Sequence, residues 1–148
     1  MAAVDDLITT LGQNVETGLG QFQRLEAEGK IRPGIFGPRE LLCKLTWWHQ
    51  VAAEAMESVG SGGDPYRIYA SDDEMDLRAV TRNTGKTVAQ LSEAVLSHQS
   101  RIAAAASKIA DPNAAIFVHE DGTEDSVPKR LEATAQRWKA SIEELQNQ

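Results

Sequence analysis

Three histidines, His49, His98 and His119, and one thiol, Cys43, are the side chains of this 148-residue chain best suited to moving protons near neutral pH, attacking an electrophile or gripping a soft metal. His49 follows Trp47 and Trp48 in the run Phe36-Gly37-Pro38-Arg39-Glu40-Leu41-Leu42-Cys43-Lys44-Leu45-Thr46-Trp47-Trp48-His49-Gln50, which opens as a helix opens. Pro38 stands at a first helical position, where its missing N–H costs nothing, and Leu41, Leu45, Trp48, Ala52, Ala55 and Val59 recur at helical spacing. His49 therefore sits beside a buried stripe, and His98 falls in the stripe of a later helix. If those helices are neighbours, both imidazoles reach one layer and form a proton-transfer pair, with Trp48, Thr134, Arg137, Trp138 and Ser141 lining a pocket and Glu16 adding a polar group. The plainer reading gives the same residues a structural role, with both histidines satisfied by local hydrogen bonds and the Trp47, Trp48 and Trp138 rings as packing. Cys43, off the main stripe and without a partner for an internal disulfide, reads as an inert buried thiol.

The elements that must position these residues are helices. Val4, Leu7, Ile8, Leu11, Val15, Phe22 and Leu25 lie on one side of a first helix that ends near Gly29. Gly18 and Gly20 each weaken it by about 1 kcal/mol relative to Ala, which points to close packing or a bend. The connector from Lys30 to Gly37 is short, so the second helix, 38–59, is expected to return antiparallel beside the first. Gly60-Ser61-Gly62-Gly63-Asp64-Pro65 breaks it. Ser71 with Glu74, and Thr87 with Gln90, read as capping boxes for a short helix through about Asn83 and a long one over 88–110, whose face is Leu91, Val95, His98, Ile102, Ala105 and Ile109. A connection this long lets the second and third long helices run parallel, giving an up-down-down-up order. In 111–125 the patch Ala115-Ile116-Phe117-Val118 and the turn signal Asp121-Gly122 can pair as a minor hairpin; with His119, Glu120 and Asp121 it reads as a solvated acidic loop. Ser126 caps a final helix, 127–146, with a stripe of Val127, Leu131, Thr134, Ala135, Trp138, Ile142 and Leu145.

The length suits one domain, 1–148, with a core that needs neither disulfide nor metal. A formal charge of −7 sets the summed field against phosphate backbones and anionic lipid, so nucleic acid and membrane surfaces are not expected partners. No apolar run approaches the roughly 20 residues that span a bilayer, and the first residues lack the basic flank of a signal peptide, so a cytoplasmic protein is expected.

The run Gly37 to Gln50 resembles the second-helix signature of DinB-like four-helix-bundle proteins, where an aromatic residue and a basic-acidic-aliphatic-leucine pattern open a helix carrying a mid-helix Trp-His or Trp-Glu. Asp73-Glu74-Met75-Asp76-Leu77-Arg78-Ala79-Val80 and Gly85-Lys86-Thr87-Val88-Ala89-Gln90-Leu91 are similar to the short helix and third-helix opening of the ClbS/DfsB and thiol-dependent maleylpyruvate isomerase branches, the latter including mycothiol users. The order of elements agrees over nearly the whole chain. The resemblance implies an all-α, up-down-down-up four-helix bundle with a short extra helix before the third, often a homodimer. In many members it also implies a divalent metal held by one second-helix His and two ligands four residues apart on the final helix. Only His49 matches. The window from Gln136 to Ser141 holds no His or carboxylate, and one imidazole cannot supply the three or four converging ligands of a zinc or nickel site, so no metal and no cofactor are expected.

Three functions follow as expectations: a small-molecule resistance or detoxification hydrolase or transferase of the ClbS/DfsB type, metal-independent and acting on an electrophilic ligand; a metal- and thiol-dependent transferase or isomerase; and a non-catalytic binding or dimerisation module. In a bundle with Leu45 in its core, Leu45→Ala lowers unfolding stability by about 2–5 kcal/mol, measured by urea denaturation.

Overall fold

The computed structural model describes residues 2–31 and 37–146. Its elements are α1 (Ala2–Ala27), α2 (Pro38–Gly60), β1 (Tyr66–Arg67), α3 (Asp72–Arg82), α4 (Val88–Ala106), β2 (Phe117–Val118), β3 (Glu124–Asp125) and α5 (Val127–Gln146). The chain is mostly helical, as the periodicities predict, with a small three-stranded sheet added. The connector from Lys30 to Gly37, with Phe36, falls largely outside the described residues.

Caps start the helices where the sequence places them. Glu40 reaches back to the Gly37 N–H at the head of α2 (3.1 Å), and Thr87 and Gln90 close a reciprocal box at the head of α4 (2.9 and 3.1 Å). At α3 only half of the predicted box forms. Ser71 Oγ accepts from the Glu74 N–H, while the Glu74 carboxylate turns to Arg78. α4 ends at Ala106, four residues before the predicted stop, and the Lys108 and Ile109 amides close its last turn on Ala105 and Ala106.

Chain directions follow from which residues meet. Arg39 donates to the Asn83 and Lys86 carbonyls, His49 meets Gln99, Glu57 meets Arg101 and Gly60 packs on Ala105, so α2 and α4 run side by side in one direction. Asn14 donates to the Ala135 carbonyl and Gly18 abuts Trp138, which aligns α1 with α5. Gln99 reaches the Ile8 carbonyl while Val4 and Ala106 line one cleft, so α1 opposes α4. The expectation that α2 returns beside α1 is corrected: α1 packs chiefly on α5 and then α4, and α2 chiefly on α4. The cause is the apolar surface of α2. It buries Leu42, Cys43, Trp47, Val51 and Met56 as well as Leu45, Trp48 and Ala52, more than a half-turn stripe, and needs partners on several sides.

To the helices is added a small sheet of three two-residue strands, order β1-β2-β3. β2 pairs antiparallel with β3 through the predicted Asp121-Gly122 turn, where Gly122 adopts φ 88°, and parallel with β1 at Tyr66↔Phe117. The parallel pair forms because α2 and α4 both end at this pole of the molecule. The predicted core residues Leu11, Phe22, Leu45, Trp48, Ala52, Leu91, Val95, Ile102, Leu131 and Trp138 are buried; Ile142 is half-buried.

Gly18 and Gly20 part company here. A Cβ at Gly18 would stand 2.7 Å from the Trp138 ring, whereas one at Gly20 would meet nothing within 4 Å. Gly18→Ala is therefore expected to destabilise by about 1–3 kcal/mol through overpacking, and Gly20→Ala to stabilise by about 0.5–1 kcal/mol, both read from urea denaturation midpoints.

Candidate functional site

His49 is fully buried, not at the edge of the core. Both ring nitrogens are engaged: Trp138 Nε1–H donates to Nδ1 at 3.2 Å, so the ring proton lies on Nε2 and is donated to Gln99 Oε1 at 2.7 Å. Gln99 Nε2 in turn donates to the Ile8 carbonyl at 3.3 Å. Burial drives the His49 pKa down to about 4, against a smaller upward pull from the Gln99 bond. A neutral imidazole with no free lone pair can tie helices together and has no vacant position for a substrate proton.

His98 does not lie in the buried stripe of α4. It is half-buried beside it, with Nδ1 2.9 Å from Arg101 Nη1, and Arg101 also clasps Glu57 of α2. Burial and the Arg101 cation lower its pKa. The two histidines sense each other electrostatically, and their hydrogen bonds lead to different partners. Of the expected pocket lining, Thr134, Trp138 and Ser141 are buried, Thr134 donating to the Arg130 carbonyl. Trp48 is buried as well, and the half-buried Arg137 lies over its ring at 3.9 Å and pairs with Asp72 at 3.2 Å and Asp76 at 3.6 Å, while Trp48 Nε1–H donates to Asp76 at 2.6 Å. Cys43 is buried, and burial raises its pKa.

The fit to a metal can be tested on these side chains. His49, the one residue that matches the ligand set implied by the resemblance, has both nitrogens occupied, and Gln136 to Ser141 of α5 presents no His or carboxylate. Among the described residues no group of three or more His, Cys, Asp or Glu stands together to hold an ion. The residues do not fit the metal site that the resemblance implies.

A different pair does have a vacant position. His119 and Asp125 flank the β2–β3 turn, which is held by the His119 amide on the Thr123 carbonyl (2.8 Å) and the Gly122 amide on the His119 carbonyl (3.0 Å). The register Phe117↔Asp125 puts positions 117, 119 and 125 on one face, with His119 diagonal to Asp125. His119 Nε2 accordingly reaches Asp125 Oδ2 at 2.9 Å, and its ring packs edge-on against Phe117 with centroids 4.9 Å apart. Asp125 is 6% exposed, and Arg130 Nη1 stands 3.3 Å from the same carboxylate oxygen. His119 lines a cleft of about 420 Å³ between the turn and the head of α3, together with Ala70, Ser71, Asp72, Glu120, Asp121 and Thr123. Its Nδ1 makes no hydrogen bond to the described residues. A buried carboxylate that fixes one nitrogen of a cleft-lining imidazole and leaves the other unbonded is the arrangement of an oriented general base.

The acidic and turn residues around His119 predict a solvated loop, which hides its role. A signal was present: Phe117, His119 and Asp125 alternate about an Asp-Gly turn, which places all three on one face of a hairpin. Comparisons with family models, curated proteins and solved structures return no match to this chain. No helix among the described residues is long and apolar enough to cross a membrane.

The buried His49 carries a pH signature. The unfolded imidazole takes a proton near pH 6.5 and the folded one only near 4, so its contribution to stability is complete above 6.5 and is lost as pH falls through that window. From pH 7.5 to pH 5 this amounts to about 2 kcal/mol. Urea titrations at the two pH values should show a loss larger by about that amount in the wild type than in His49→Gln.

Proposed function

We propose that this chain is an up-down-down-up four-helix bundle of the DinB-like kind, nearest the ClbS/DfsB branch, and that it hydrolyses an electrophilic small molecule with His119 as general base. The fold assignment is supported by α2 running with α4, α1 running with α5 and α1 opposing α4, with α3 as the short extra helix. The observation that carries the function is the His119–Asp125 pair, oriented from behind, with His119 lining the cleft and its Nδ1 without a hydrogen bond to the described residues. His119 replaces His49 and His98 in the catalytic role, because His49 has no free nitrogen and His98 faces Arg101.

In this reading a water in the cleft attacks the electrophilic carbon while Nδ1 accepts its proton, and Asp125 stabilises the imidazolium that forms. The strained or activated bond to that carbon breaks, and its electron pair takes the proton back from Nδ1, so water is added across one bond. Asp72, Glu120 and Asp121 line the cleft without a cation among its lining residues, which favours a neutral or cationic substrate over an anionic one. The homodimer and the cytoplasmic setting that the sequence suggests belong to the same proposal.

The test is hydrolysis of a panel of an epoxide, an activated aryl ester and a cyclopropyl ketone, followed by mass spectrometry for addition of water. Where a substrate is turned over, His119→Ala should lower kcat/KM by about 100-fold or more, and His98→Ala should leave it near the wild-type value. Full activity in His119→Ala sinks the assignment. Tight binding with no turnover of any probe would favour the binding-module reading.

A further inference from the structure

Arg130 is 3% exposed, and its guanidinium carbon lies 4.7 Å from the Phe117 ring centre and 5.6 Å from that of Trp48. Nε and Nη1 are buried without a hydrogen bond, although Nη1 is 3.3 Å from Asp125 Oδ2: the distance suits an ion pair, and the angle does not suit a hydrogen bond. Burial lowers its pKa to about 10, which leaves it a cation at neutral pH. A buried cation with unpaired N–H groups is an expensive way to fill a core, and an apolar side chain of similar size packs as well. What an apolar side chain cannot provide is a charge beside Asp125. Lys129, the next cation along the chain, points away to the Glu124 carbonyl.

We infer that Arg130 is a positioning residue for His119: its charge holds the buried Asp125 carboxylate with Oδ2 toward the ring, which keeps the His119 proton on Nε2 and the lone pair on Nδ1. The inference rests on the reading of His119 as the base, yet it concerns the state of the ring and can be checked without a substrate. The carboxylate accepts only, so facing it the neutral imidazole must donate. A rotated Asp125 no longer imposes that choice, and the tautomer with the proton on Nδ1, useless for accepting one from the cleft, becomes populated. The wedge between Phe117 and Trp48 fixes where the charge sits, since both rings hold the guanidinium by their faces.

The experiment is long-range proton–nitrogen NMR on protein labelled with 15N-histidine, above the pH at which the rings are charged. In the wild type His119 should show the Nε2–H pattern. Arg130→Gln should give a mixture of the two tautomers, and Arg130→Lys, which keeps the charge, should retain the Nε2–H form. The His49 ring, hydrogen-bonded elsewhere in the core, reports in each variant that the fold is intact. An unchanged His119 pattern in a folded Arg130→Gln overturns the inference. If that variant does not fold, Arg130→Lys decides alone: retention of the Nε2–H form supports the role of charge, and a mixed pattern overturns it. A tautomer that responds in a protein with no hydrolytic activity would refute the proposed function and leave the positioning role standing.

Discussion

One chain of hydrogen bonds crosses the middle of the molecule and touches all four long helices: from Trp138 of α5 to His49 of α2, on to Gln99 of α4 and so to the Ile8 carbonyl of α1. Each link removes an obligation the fold would otherwise leave open. Trp138 and His49 are fully buried, and an indole N–H or an imidazole nitrogen without a partner there costs about 1–3 kcal/mol. Because every link has one geometry that satisfies it, the chain fixes the relative height of the helices in a way that Leu and Val contacts, which tolerate sliding, do not. Gly18 belongs to the same constraint, since only a residue without Cβ lets α1 approach the Trp138 ring.

The outer polar layer hangs on this inner one. Trp48 precedes His49, so the registration that points His49 to Trp138 and Gln99 turns the Trp48 indole to another side of α2, where Asp76, Arg137 and Arg130 gather around it. α3 is fastened there by Asp72 and Asp76 on Arg137 and at its far end by Arg39. The sheet supplies the opposite wall. Phe117 packs between Tyr66, Trp48 and His119, and β2 can take β1 as a parallel neighbour only because α2 and α4 finish at the same pole. The deep imidazole of His49 is kept neutral by desolvation, and around the Trp48 ring the charged side chains stand in pairs, Arg130 with Asp125 and Arg137 with Asp72, within about 4 Å.

Chemistry by residue type alone misdirects attention in such a molecule. His49 stands in the most familiar place for a ligand or base, midway along a helix beside a tryptophan pair, and it is the histidine least able to accept a proton. His119 sits in a segment of acidic and turn residues and has a buried carboxylate behind it and a cleft in front. The difference is made by second partners: Trp138 closes one nitrogen of His49, and no described residue closes the corresponding nitrogen of His119.

By itself the sequence determined the helices, most of their ends and much of the core, because caps such as Thr87 with Gln90, breakers such as Gly60 to Pro65 and the 3.6-residue repeat act within a few residues of chain. It also determined that Gln136 to Ser141 offers no metal ligand and that Asp121-Gly122 turns. Only the tertiary structure decided that α2 lies on α4 instead of α1, that two-residue β1 joins β2, that His49 lies inside and His98 beside the core, and that Asp125 and Arg130 stand behind His119. These depend on which faces meet across 50 or more residues. An amphipathic pattern states that a face must be covered and leaves open what covers it, and a side chain's proton follows from the partners that the covering brings.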